Sequence, residues 1–190
     1  MPMVENAFDA LPAFLGPAES LSEAKVVALF VHALVRQGVA PQTMRVDMPL
    51  AGGEQIVYPD IGFMVNGQQN WMEVKYLKEG AGATTGKGGH FLKDIFRLAG
   101  FKQEIPEPTC WLLHVYDGEP TTLITDAERW QDHFLKHGHT LACFEFNDLN
   151  RTTQTILTGH RWQGEKRFNV QNIRLEPPGQ RRVLVLTQVL

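Results

Sequence analysis

The stretch "YPDIGFMVNGQQNWMEVKY", residues 58–76, decides how the chain is read. Asn66-Gly67 stands between two alternating runs, and Asn-Gly is the strongest short hairpin signal, because a type I′ turn needs positive φ at both central positions. With these two residues as the turn, Val65 pairs with Gln68 and Asp60 falls opposite Glu73. Their Cβ atoms are then about 5 Å apart on one face. Lys75, two residues on, shares that face. Ile61, Phe63, Met72 and Val74 take the other face as a core. A four-residue loop would shift the pairing by two and keep the same faces.

Two carboxylates facing each other across a ladder destabilise it unless something positive lies between them. Lys75 alone is one answer, a salt-bridged trio at a buried edge. A hard divalent cation is the other: Mg²⁺ takes one or two carboxylates plus waters and phosphate oxygens. Such an ion generates hydroxide and neutralises phosphate charge, and Lys75 beside it would orient the water or stabilise the transition state.

The composition is that of a globular domain, with 43% hydrophobic and 21% charged residues over 190 positions. That length fits one domain with a proper core. No apolar run approaches the ~18 residues of a membrane span, and MPMVENAFDALPAFLG lacks the basic region of a signal peptide. Cys110 and Cys143 both lie in apolar runs and read as buried, reduced thiols, so a cytoplasmic protein is expected. The net charge is −3, yet the last forty residues hold seven basic and two acidic side chains. That segment, with Arg151, Arg161, Lys166, Arg167, Arg174, Arg181 and Arg182, is either a phosphate-facing surface or a charge-defended hairpin edge.

Along the chain, Ser20 to Glu23 fits a capping box opening a helix from about Leu21 to Gln37, stopped by Gly38. Strands are expected at 44–50, 54–65 and 70–77, with Gly52 and Gly53 turning between the first two. "KEGAGATTGKGGH" (78–90) reads as a mobile loop. A second helix follows over "FLKDIFRLAGF" (91–101), then a buried strand at 110–117, a helix at 126–138 and a strand at 140–146. "KRFNVQNIRL" and "RRVLVLTQVL", joined by "EPPGQ", read as a closing hairpin. Helices interleaved with a hairpin-bearing sheet imply a layered α/β (α+β) domain. It is expected as one domain over 1–190, with a core at about 20–150 and a basic, β-rich extension at 151–190.

Pro59-Asp60, followed by Glu73-Val74-Lys75, resembles the signature of the PD-(D/E)xK nuclease superfamily, which includes restriction endonucleases and archaeal-type Holliday-junction resolvases. The resemblance implies a restriction-endonuclease-like α-β-β-β-α-β core with a mixed central sheet, flanking helices and, here, C-terminal extra strands. It further implies a Mg²⁺- or Mn²⁺-dependent nuclease acting on nucleic acid, DNA first. Asp60, Glu73 and the Val74 carbonyl would be the metal ligands and Lys75 the catalytic lysine. In resolvase-like members a glutamate in the first turn of the opening helix joins the site; Glu23 matches it, with Glu19 as fallback, although the capping box alone would explain Glu23. Phe91, Asp94, Arg97 and Leu98 resemble a pattern following the third strand in some members. Arg97 is then a candidate phosphate ligand, or the partner of Asp94 at i, i+3. Lys87, Arg161, Lys166 and Arg167 complete the candidate phosphate contacts. The alternative to catalysis is an inactive nuclease-fold module that binds nucleic acid or protein. No membrane partner is expected, and a homodimer is compatible with the chain.

Two further signals are set aside. "GAGATTGKGG" has neither the glycine spacing nor the Ser/Thr of a P-loop, although it could form a flap with Lys87 on phosphate. His133 and His137 have zinc spacing on a helix but lack completing ligands, so they read as a solvated helix end. Trp162, within "GHRWQGEKR", is a candidate for stacking on a base.

Overall fold

The computed structural model describes residues 2–16, 21–46, 50–52, 55–57, 59–78, 84–104, 107–120, 131–159 and 164–190. Helices α1 (Pro2–Leu15) and α2 (Glu23–Arg36) open the chain. Strands β1 (Arg45–Val46), β2 (Leu50–Gly52) and β3 (Gln55–Val57) lead to the hairpin of β4 (Ile61–Val65) and β5 (Gln68–Lys78). Helix α3 (Thr84–Glu104) crosses to β6 (Thr109–Asp117). A π-helical turn at Gln131–Leu135 precedes β7 (Gly138–Glu145), α4 (Arg151–Gly159), β8 (Glu165–Leu175) and β9 (Arg182–Val189). Seven strands form one mixed sheet in the order β1-β4-β5-β6-β9-β8-β7, and β2 and β3 pair as a separate ribbon. The architecture is therefore α+β, with helices on both faces of a mixed sheet. Among the described residues no helix is long and apolar enough to cross a membrane.

The hairpin register is the expected one. Val65 pairs with Gln68 and Ile61 with Met72, and φ is +51° at Asn66 and +78° at Gly67, the signature of a type I′ turn. Period-2 alternation then sorts the residues by face. Ile61, Phe63, Val65, Met72 and Val74 join Trp111, Leu113 and Val115 in the layer under α1 and α2. Trp71, Cys110, Leu112 and Tyr116 face the opposite layer, with Phe91, Ile95 and Leu98 of α3. β5 and β6 are the parallel pair, and β6 is buried along nearly its whole length, which accounts for its unbroken apolar run.

Several expectations change. Residues 2–15 form a helix that was not foreseen, although Val4, Ala7, Phe8, Leu11 and Leu15 are all buried at helical spacing. The run 54–65 is two strands, because Pro59 cannot donate to a ladder and Asp60 lies in a bend outside β4. Gly52 pairs with Gln55 instead of turning, and the turn itself falls outside the described residues. β1 is only two residues long. The helix at 126–138 is described only from Gln131, ends by Leu135, and gives way to β7 at Gly138, so His137 is not helical. Cys143 is exposed, because this end of the sheet is uncovered on the side its residue faces; Cys110 is buried and both thiols are free.

Three corrections concern the glycine-rich segment and the tail. From Thr84 the expected loop is helix, with residues 79–83 outside the described set. Gly89 lets α3 approach α4: a Cβ there would meet Ile156 Cδ1 at 2.5 Å and the Thr153 Cα at 3.2 Å. Helix α4 itself was not foreseen; its first turn is capped by Asn150 Oδ1, which accepts from Thr153 N–H at 3.0 Å. The tail is no extension, since β9 lies between β6 and β8 in the sheet and is almost wholly buried.

The close approach at Gly89 yields a stability test. Gly89→Val is expected to cost about 1–3 kcal/mol through overpacking, read as a lower urea midpoint with unchanged slope. Adding Ile156→Ala should recover part of that loss. A cost equal to the sum of the single substitutions would show that the two positions do not meet.

Candidate functional site

The β4–β5 ladder stops at the Ile61–Met72 pair, and the next position of β4 is Asp60. Its side chain replaces the missing backbone acceptor: Asp60 Oδ2 accepts from Val74 N–H at 2.6 Å. This bond fixes the Asp60 carboxylate beside Glu73 and explains why a bend at Pro59-Asp60 leaves no orphan donor on β5.

Glu73 points toward α3 and is only 2% exposed. Arg97 Nη2 of α3 donates to Glu73 Oε1, and also lies 3.4 Å from Asp94 Oδ1. Asp94, 2% exposed, approaches the Lys75 ammonium through Oδ2 at 3.5 Å. Lys75 Nζ lies 3.5 Å from Glu23 Oε1 and donates to the Val74 carbonyl at 3.1 Å. Glu23 is thus drawn into the cluster from α2. Its cap role falls away, because the N-cap of α2 is Ser22, whose Oγ accepts from Lys25 N–H at 3.2 Å. Ser20 and the fallback Glu19 lie outside the described residues.

The structure therefore brings Glu23, Asp60, Glu73 and Lys75 together as expected and adds Asp94 and Arg97. Asp94 had been visible only as a helical partner of Arg97; its contact with Lys75 depends on how α3 crosses the sheet and has no local sequence signal. Lys87, two turns before Asp94 on α3, donates to the carbonyl of Lys78 at 3.2 Å and is half-buried. Lys166 and Arg167 are elsewhere. Glu73 is level with Leu112, Thr187 and Asn172 across the sheet. Six residues separate Asn172 from Lys166, so this basic pair lies about 20 Å along the strand direction. Arg167 also pairs with Glu165, while Arg161 and Trp162 lie outside the described residues. Two other tail arginines, Arg182 and Arg174, serve the fold. Arg182, 4% exposed, donates to the carbonyls of Leu15 and Gly16 and lies 3.7 Å from Asp117. Arg174 binds Glu176 at 2.8 Å and the Leu135 carbonyl at 3.1 Å.

Burial and charge set the protonation behaviour. Burial pushes the Glu73 carboxyl up to about 8, against the pull of Arg97 and with the neighbouring Asp94 and Asp60 adding to the rise. Burial also raises Glu23, opposed by Lys75. For Lys75 burial opposes the charged form, but Asp94, Glu23, Glu73 and Asp60 together outweigh it and hold its pKa above the usual value. Its strand neighbour His114 is held neutral, chiefly by complete burial and secondly by Lys75.

The oxygens here are hard donors: carboxylates of Glu23, Asp60 and Glu73 and the carbonyl of Val74. They fit Mg²⁺ or Mn²⁺ in kind, and the four carboxylates of Glu23, Asp60, Glu73 and Asp94 stand with three cations, Lys75, Lys93 and Arg97. Among the described residues no three His, Cys, Asp or Glu side chains converge to ion-holding distance. Lys75 and Arg97, with Lys93 beside Asp94, are the cations paired with these carboxylates. Compared with protein-family models, with curated proteins and with solved structures, the chain matches none.

The raised carboxyls make a pH prediction for the metal-free protein. Between about 4.5 and about 8, folded Glu73 keeps a proton that the unfolded chain has lost. The Glu73 contribution to stability then falls as pH rises through that window; Glu23 adds a change of the same sign, and His114, held neutral in the fold, adds the opposite change below about 6.5. Melting temperature measured in chelator is expected to decline from pH 7 to pH 8, above the range in which the buried, neutral His114 contributes the opposite slope, with the decline flattened in Glu73→Gln. A pH dependence unchanged by Glu73→Gln would exclude a neutral, buried Glu73.

Proposed function

We propose that this chain is a divalent-metal-dependent nuclease of the PD-(D/E)xK type, hydrolysing phosphodiester bonds, with DNA as its substrate. The observation that carries the reading is the convergence of Asp60, Glu73 and Lys75 on one face of a hairpin, met there by Glu23, whose Oε1 lies 3.5 Å from Lys75 Nζ. Supporting it, once the separate β2–β3 ribbon between β1 and β4 is set apart, α2, β1, β4, β5, α3 and β6 stand in an α-β-β-β-α-β order. Their four strands are neighbours in the sheet, the last two parallel. A restriction-endonuclease-like topology is the finer fold this order suggests. Two free thiols agree with a cytoplasmic setting.

In this reading Asp60, Glu73 and the Val74 carbonyl would hold Mg²⁺ or Mn²⁺, with Glu23 as an accessory ligand. The ion supplies Lewis acidity toward the phosphate and a lowered pKa for its bound water. The remaining work falls to the chain. Asp60 is kept in place by the Val74 amide. Lys75, held charged by its acidic surroundings, acts as a donor: its Nζ orients the attacking water and stabilises charge developing on the phosphate oxygens. Lys87, half-buried in the first turn of α3, is suited to a neighbouring phosphate. Lys166 and Arg167 could reach only phosphates several nucleotides away.

One observation favours a second reading, a nuclease-fold module that binds without cleaving. The chain of contacts Lys75–Asp94–Arg97–Glu73 already neutralises buried charge with protein groups alone. The two readings part in one experiment, in which the purified chain is incubated with single- and double-stranded DNA and RNA in Mg²⁺ or Mn²⁺. Cleavage of DNA is expected, with Asp60→Asn and Lys75→Ala each lowering the rate by about 10²–10³-fold without loss of fold. Mn²⁺ should raise the melting temperature of the wild type and leave Asp60→Ala unchanged. Intact nucleic acid in every lane, with no thermal shift by either ion, would leave the binding module as the better account.

A further inference from the structure

We propose that Asp94 is the positioning residue of the lysine, the group on α3 that sets where the Lys75 ammonium stands; its bearing on catalysis rests on the nuclease reading above. An ammonium carries three N–H donors and no acceptor. Around Lys75 Nζ stand three oxygens from three elements: the Val74 carbonyl of β5 at 3.1 Å, Glu23 Oε1 of α2 at 3.5 Å, and Asp94 Oδ2 of α3 at 3.5 Å. Two of the three belong to the ligand set through which a cation would be held. Asp94 is the one left to Lys75 when the Val74 and Glu23 oxygens are engaged.

Asp94 is built for that part. Its carboxylate is almost completely buried, and a buried carboxylate without cations would be strongly unfavourable. Oδ1 is anchored by Arg97 at 3.4 Å, with Lys93 Nζ at 3.8 Å. Oδ2 is left facing Lys75 at ion-pair distance and makes no hydrogen bond of its own. A small advance of the ammonium would close that contact. Arg97 meanwhile also grips Glu73 Oε1, so one turn of α3 fixes the acid and the lysine from the same side. Glu23, nearly half exposed, offers a looser hold.

The test reads Lys75 directly. The folded protein is treated with an amine-reactive acetyl ester, and labelling at each lysine is quantified by mass spectrometry in wild type, Asp94→Asn and Asp94→Glu. Labelling of Lys75 is expected to rise about threefold or more in Asp94→Asn, the scale of an ion pair of modest strength. Asp94→Glu, which keeps the charge, should stay near wild type and serves as the readable variant if Asp94→Asn fails to fold. In cleavage assays Asp94→Asn should lower kcat by about 10- to 100-fold, the scale of a misplaced catalytic group, with KM little changed. Combined with Lys75→Ala it should lower the rate no further. Unchanged Lys75 labelling in Asp94→Asn, a rise in Asp94→Glu equal to that in Asp94→Asn, or additive losses of rate would overturn the assignment. A wild type that cleaves nothing sinks the nuclease reading, and the labelling then decides the hold of Asp94 on Lys75 by itself.

Discussion

The turn at Asn66-Gly67 is the constraint on which the rest hangs. With positive φ at both residues it admits one register for β4 against β5. A slip of one residue would carry Glu73 and Lys75 through the sheet into the apolar layer of Met72, Val74 and Trp111. In the native register those two charges face α3, where Asp94 and Arg97 wait for them. The same register ends the ladder at Ile61, so Asp60 is free to bend its carboxylate onto the Val74 amide. A two-residue turn thus places three functional groups without any of them contacting it.

What was legible follows from which signals are local. A type I′ turn is written in two adjacent residues, and the faces of a hairpin follow from period-2 alternation; both could be read directly. β6 was legible because a strand buried on both faces is an uninterrupted apolar run. Helices were harder where composition hid the period. The five glycines between 80 and 89 read as a loop, yet from Thr84 the backbone is helical, and three of the five lie in α3. Packing against α4 demands a surface without a Cβ at Gly89, and that demand lies in tertiary contact, outside local propensity. In α4, Thr152, Thr153, Thr155 and Ile156 are β-branched and lower helix propensity, while the cap on Asn150 supplies the start.

The site was legible by half. Asp60, Glu73 and Lys75 were set by the hairpin alone. Glu23 required its competing role to be removed, and the structure removes it by starting α2 at Glu23 with Ser22 as the cap. Asp94 and Arg97 belong to an element that reaches the hairpin only after the crossover from β5 to β6. Their i, i+3 spacing announced a pair without announcing its partners. The pair is a link in a chain running Lys75–Asp94–Arg97–Glu73, which explains how two buried carboxylates, each 2% exposed, coexist in an apolar layer.

The basic tail shows why charge along a sequence is a poor guide to charge on a surface. Arg182 stands at the C-terminus of α1, where the carbonyls of Leu15 and Gly16 have no intrahelical partners. The negative end of the helix dipole favours a cation there. Arg174 does the equivalent for the π-helical turn through the Leu135 carbonyl, and Arg167 is matched by Glu165 on its own strand. Each of these cations is spent on a carbonyl or a carboxylate before any polyanion arrives. The cations beside Glu73 are Arg97 and Lys75, each already paired with acids of the cluster. A molecule that lays a phosphate against this hairpin must bring positive charge with it or displace one of those acids from Lys75. That requirement follows from the placement of charge alone, and it is the physical argument behind the proposal that a divalent cation and a phosphodiester would occupy this site together.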